Sequence, residues 1–150
     1  MRRLLIILTA ISGLVMAQDY PASYDAVSEK YDAVGFTSLT EKEQVTYTIW
    51  WLEAEVNNGG FHQYFWNSAG DHAAIALKSL NNIVATKTAS LLQQAIDVAF
   101  NGKLPSSRLE RQDLLEIDED SKMERLGELD SEFYEYSENF YKMIDAYMAQ

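Results

Sequence analysis

The chain has 150 residues, 47% of them hydrophobic and 23% charged, with only 2 Pro and 7 Gly. That composition suits one helical or mixed core and leaves no room for a second large domain, a collagen-like repeat or a disordered chain. The 23 acidic residues outnumber the 12 basic ones for a net charge of −11, which repels phosphate backbones and argues against direct nucleic-acid binding, and the absence of Cys removes disulfides, thiolate metal sites and cysteine nucleophiles.

Arg2 and Arg3 precede an uncharged apolar run from Leu4 to Ala17, in which Val15 and Ala17 fit the small-residue positions of a cleavage site. Gln18, Asp19 and Tyr20 then turn polar. This order predicts a signal peptide at 1–17, cleaved after Ala17, and an exported domain at 18–150 in the periplasm or outside the cell. The alternative is an uncleaved anchor or a first core helix, but the run is shorter than the roughly 20 apolar residues a bilayer requires. No later stretch is apolar enough to span. The mature part keeps 10 bases against 23 acids, a net charge of −13.

From Ser23 onward the apolar residues recur at spacings of three and four with no competing alternation, which predicts an all-α domain. A first helix is expected over Ser23 to Val34. A second follows Thr40, where Glu43 lies three residues on in a capping-box pattern, and runs to about Asn57 with Val45, Ile49, Leu52 and Val56 on its core stripe. Asn57-Asn58-Gly59-Gly60 ends it, and Phe61 to Trp66 forms a short aromatic helix before Asn67, Ser68 and Gly70. Asp71 is expected to cap an alanine-rich helix ending near Ile83, and Thr88 to cap the next, which stops at Asn101-Gly102. Arg108 to Asp130 is ambiguous. A last helix is predicted from Ser131 to Tyr147, with Phe133, Tyr136, Phe140, Met143, Ile144 and Tyr147 on its apolar face.

The charge gathers at the C-terminal end, where Glu110 to Gln150 holds 13 acids and 4 bases. Glu116, Asp118, Glu119, Asp120, Glu124 and Glu128 are therefore the candidate binding surface for a partner protein, a basic one being the electrostatic match. The alternative is a solvated helix face. His62 and His72 could join Glu53, Glu55 or Asp71 around a metal, but no ligand spacing such as His-Glu-x-x-His supports this, so neither metal nor cofactor is expected. Nucleophile elbows and phosphate loops are likewise missing, and no enzymatic activity is expected. Glu53 and Glu55 flank the core stripe from opposite edges, which keeps them from acting as a catalytic pair. One of them is expected to accept hydrogen bonds from the hinge. Trp50 and Trp51 lie opposite the stripe, as in a central helix covered on both sides.

The string Glu53-Ala54-Glu55-Val56-Asn57-Asn58-Gly59-Gly60-Phe61, continued by Gln63-Tyr64-Phe65 and Asn67-Ser68-Ala69-Gly70, resembles the DNA-mimic protein nineteen family, over roughly residues 39–148. The resemblance implies an acidic all-helical fold whose carboxylates imitate DNA phosphates toward a DNA-binding protein. Where members of that family often carry Ile-Gly-Ala, this chain has Ile83-Val84-Ala85, a departure expected to touch packing. The same hinge residues, Glu53, Glu55, Asn57, Asn58, Gly59, Gly60, Phe61, Gln63, Tyr64, Phe65 and Asn67, are either a fold motif or an alternative small-ligand pocket, with His62 among them.

Overall fold

The computed structural model describes residues 21–117 and 120–150, so the expected signal peptide and the candidate residues Asp118 and Glu119 lie outside the described residues. Seven α-helices and two short 3-10 turns make up the regular structure, with no strand among the described residues. The helices are α1 (Tyr24–Val34), α2 (Glu41–Trp66), α3 (Ala73–Asn82), α4 (Thr86–Phe100), α5 (Arg108–Glu116), α6 (Asp120–Phe133) and α7 (Phe140–Met148). The 3-10 turns, Phe36–Ser38 and Ser68–His72, follow α1 and α2.

Helix α2 is the axle of the fold. It starts at the expected capping box: Glu43 N–H donates to Thr40 Oγ1 at 3.3 Å, and Thr40 N–H donates to Glu43 Oε2 at 2.7 Å. One side carries Val45, Ile49, Leu52 and Val56 into a core shared with α3, α4, α6 and α7. The other carries Tyr47, Trp50 and Trp51 beneath α1. There Tyr31 stacks on Tyr47 at 4.4 Å and Tyr24 on Trp50 at 4.1 Å, around the small apolar group of Val27, Leu39 and Tyr47. The tryptophans are thus covered aromatic packing, as expected of a central helix.

Two capping expectations and one helix boundary are corrected. Asp71 does not cap α3, whose N-terminus has no side-chain cap; its carboxylate is taken by Arg108 and Arg111 of α5. Thr88 is no cap either, because α4 begins at Thr86. The carboxylate of Glu138, 50 residues away, accepts from Thr88 N–H at 2.8 Å and Lys87 N–H at 3.0 Å, supplying from outside what the local sequence lacks. The expected last helix is two helices, since the chain breaks between Phe133 and Phe140. Tyr136 adopts φ +46° there, and Asn139 restarts the helix by accepting from Lys142 N–H at 3.1 Å. The break turns Tyr134 and Tyr136 back onto α2.

Val84 also departs from expectation. Ala85 N–H bonds to Leu80 O at 2.9 Å and Val84 N–H to Asn81 O at 3.1 Å, the paired closure that places a left-handed residue after a helix. Val84 holds that place at φ +63° with 66% of its surface exposed. The departure from Ile-Gly-Ala is therefore a matter of backbone conformation and not of packing, because a β-branched side chain resists positive φ. Val84→Gly is expected to stabilise the fold by about 1 kcal/mol, raising the melting temperature by about 3 °C. An unchanged or lower melting temperature would contradict this.

Candidate functional site

The Gly59-Gly60 pair breaks α2 without ending its path. Gly59 (φ −164°, ψ 25°) and Gly60 (φ +74°, ψ −176°) leave helical geometry, and the helix resumes at Phe61. A restarted helix exposes fresh N–H groups. Asp130 of α6 meets one of them, accepting from Phe61 N–H at 2.7 Å. Burial raises the Asp130 carboxyl above its usual range while that amide lowers it.

Glu55, on the near side of the break, clamps the far side: its Oε2 accepts from Gln63 Nε2 at 2.8 Å and from Asn67 Nδ2 at 2.9 Å. The expectation that one glutamate would receive hinge hydrogen bonds thus falls to Glu55. Phe61, Tyr64 and Phe65 are buried in the main core. The Tyr64 hydroxyl is buried with no hydrogen-bond partner among the described residues. Gly70 lets the following 3-10 turn lie against this segment, since a Cβ there would come within 2.7 Å of Tyr64 O. An open groove of about 500 Å³ runs over the hinge, lined by Asn58, Gly59, His62, Gln63, Trp66 and Asn67. The side-chain amides of Asn57, Gln63 and Asn67 bond to side chains: Asn57 Nδ2 donates to the Tyr136 hydroxyl as Gln63 and Asn67 do to Glu55.

Glu53 goes elsewhere. It is 8% exposed, and its Oε1 accepts from the Tyr136 hydroxyl at 2.9 Å. Its side chain lines a cavity of about 540 Å³ between α2, the 134–139 segment and α7. Burial pushes its carboxyl up to about 7, the Tyr136 hydrogen bond opposing the shift. The hydroxyl of the neighbouring Tyr134 donates to Val56 O at 2.8 Å, closing the same flank. Neither tyrosine was a candidate from sequence, although the Asn139 cap signal before Phe140 marks the break that delivers them.

A carboxyl whose folded pKa exceeds its ordinary value binds protons more tightly when folded. Its stabilising contribution is complete below about pH 4.5 and is lost as pH rises through about 7. The parent melting temperature is therefore expected to fall by several degrees between pH 5 and pH 8, with Asp130 adding to the slope in the same direction. Glu53→Gln, which keeps an acceptor for Tyr136, is expected to flatten most of that fall. An equal slope in both proteins would refute it.

The acidic candidates are spread over two helices. Glu116 ends α5, and Asp120, Glu124 and Glu128 recur every fourth residue along α6, about 6 Å apart. All four are exposed. Glu128 is held by Arg125 at 2.5 Å, whereas Glu116, Asp120 and Glu124 have no ion pair among the described residues. His62 stacks on Trp66 and His72 on Phe36. No group of three or more His, Asp or Glu side chains converges as a metal site among the described residues, and no described helix is long and apolar enough to cross a membrane.

Residues 37–150, most of the chain and the whole of the hinge and acidic helices, match the family described as DMP19-like protein. The chain belongs to that family. No curated protein and no solved structure matches it. In this DMP19-like protein the hinge string that carried the resemblance holds α2 in two segments, while the carboxylates of α5 and α6 stand apart from it at the surface.

Proposed function

We propose that this DMP19-like chain is an exported, non-enzymatic protein-binding module that presents the carboxylates of α5 and α6 to a basic protein surface, in the manner of a DNA mimic. One observation carries the reading: Glu116, Asp120 and Glu124 are exposed and have no ion pair among the described residues, the basic side chains of α6 being engaged by other groups. Lys122 Nζ donates to Leu114 O at 3.5 Å, and Arg125 reaches Glu128 and, at 3.2 Å, Gln94 Oε1. Asp120 and Glu124 are left uncompensated beside Glu116, within a chain of net charge −11. Carboxylates in such a row attract cationic surfaces at long range and fix their register at contact. Glu116, Asp118, Glu119, Asp120, Glu124 and Glu128 form the proposed contact set.

Export, which rests on the order of residues 1–17, places the partner in the envelope or outside the cell; the intact mass of the secreted protein, lacking Met1 to Ala17, checks it. The binding reading is tested by capture from the envelope fraction on two immobilised baits, the parent and a variant with the six acids changed to Gln or Asn. A basic protein retained by the parent and lost from the variant is expected. The melting temperatures of the two baits should agree closely, since exposed substitutions alter stability by less than about 0.5 kcal/mol. Equal retention on both would overturn the reading.

A further inference from the structure

The cavity beside Glu53 is built unlike the acidic surface, and its inference does not rest on the reading above. Its floor is a carboxylate that is nine-tenths buried. One oxygen takes the Tyr136 hydroxyl, while Oε2 has no hydrogen-bond partner among the described residues. A carboxylate so largely buried, holding one hydrogen bond, is favoured in its ionised form by an added counter-charge. The walls are aromatic. Tyr136 and Phe140 stack at 6.0 Å, and Tyr141 meets Phe140 edge-on at 5.5 Å.

The charges around Glu53 favour a cation. From α7, Asp145 and Lys142 line the cavity; from the 134–139 segment come Tyr136 and Glu138. Glu138 is engaged by the N-terminus of α4, and Asp145 Oδ1 accepts from Ala22 N–H at 3.0 Å. Three carboxylates and one lysine thus line the cavity. The backbone also concentrates strain here, because Tyr136 holds φ +46° without being glycine, and such positions persist where surrounding structure over-determines them.

We propose that this cavity is a binding site for one organic cation, an ammonium or guanidinium group on a short apolar stem, with Glu53 as its counter-ion and Tyr136, Phe140 and Tyr141 as its walls. The carboxylate and the aromatic faces attract the cation together. The stem would displace water from the apolar side. The cavity volume of about 540 Å³ fits a ligand the size of one basic side chain. Such a group is available either as a free small amine or guanidine, or as an Arg or Lys side chain of a bound protein.

Calorimetric titration of the purified protein with butylguanidinium and with acetyl-arginine amide tests the site, using butylurea and acetyl-citrulline amide as neutral isosteres. Saturable binding of a guanidinium, absent for its urea isostere, is expected. It should tighten as pH rises from 6 to 8, because the bound cation needs Glu53 ionised. Binding by butylguanidinium alone assigns the site to a free small ligand, and binding by the blocked arginine as well assigns it to a protein side chain; either supports the proposal. Glu53→Gln is expected to weaken binding about tenfold or more, and Lys142→Ala, which removes the competing rim charge and leaves the floor intact, to strengthen it about threefold. No saturable binding, equal binding of the neutral isosteres, or an affinity indifferent to both substitutions would overturn the proposal.

Discussion

Gly60→Ala is expected to destabilise the fold by about 3 kcal/mol, lowering the melting temperature by about 10 °C. Two effects act at once. An L-residue at φ +74° is strained, and the added Cβ would lie 2.2 Å from Asp130 Oδ2. That carboxylate cannot retreat freely, because its other oxygen holds the Phe61 amide. Displacing it leaves the restarted helix uncapped, a further loss of about 1 kcal/mol. The clash can be isolated by a cycle. Asp130→Ala alone should cost about 1 kcal/mol, and in its presence Gly60→Ala should cost only the backbone strain. Gly60→Val should be worse than Gly60→Ala, as β-branching disfavours positive φ further. A Gly60→Ala protein that melts within about 1 °C of the parent would show that the break in α2 is not held this way.

Arg111 carries the other large effect. It is 0% exposed, and its guanidinium bonds Phe65 O through Nε at 3.0 Å and Asp71 through Nη2, tying α5 to the far end of α2 and the turn after it. Arg111→Ala is expected to cost about 4 kcal/mol, as it strands the Phe65 carbonyl, leaves Asp71 to Arg108 alone and opens a cavity the size of a fully buried side chain. Arg111→Lys should still be clearly destabilising, since an ammonium cannot reproduce the planar fork. Acid denaturation adds a signature. The Arg108 hydrogen bond, and then that of Arg111, hold the Asp71 carboxyl down at about 2; its contribution is present above its ordinary value of 3.8 and lost as pH falls through about 2. Arg111→Met should therefore lose less stability than the parent on acidification below pH 4. Identical acid transitions would contradict that.

What could be read in advance was local. The Thr40-x-x-Glu43 box and the Asn101-Gly102 stop are written in adjacent residues and sit where their spacing placed them, whereas Asn-Asn-Gly-Gly, expected to end the helix near Asn57, breaks it at Gly59-Gly60 and lets it run on to Trp66. The break before α7 was hidden because Phe133, Tyr136 and Phe140 keep helical spacing across it, yet Tyr136 is 46% exposed and its neighbours are core. Glu138 and Asp71 escaped for a different reason. Their partners, backbone amides for Glu138 and arginines for Asp71, lie 37 to 51 residues away, and contacts at such separation leave no periodic trace. The same holds at the site: a glutamate clamp was legible from the hinge beside it without a choice between Glu53 and Glu55, which the structure makes for Glu55, whereas Glu53 acquires its character only when Tyr136 folds back on α2.

The claim that the α5–α6 carboxylates are a binding surface is tested most directly by the salt dependence of the dissociation constant for the captured basic partner, measured with the parent and with the six-position variant. For the parent, affinity should be high at low ionic strength and fall steeply toward high salt, because counter-charges across a solvated interface are screened within about 10 Å at 0.1 M. The variant should bind more weakly at low salt and show a shallow dependence. Superimposable curves for the two proteins would contradict the account and leave these acids as solvated surface.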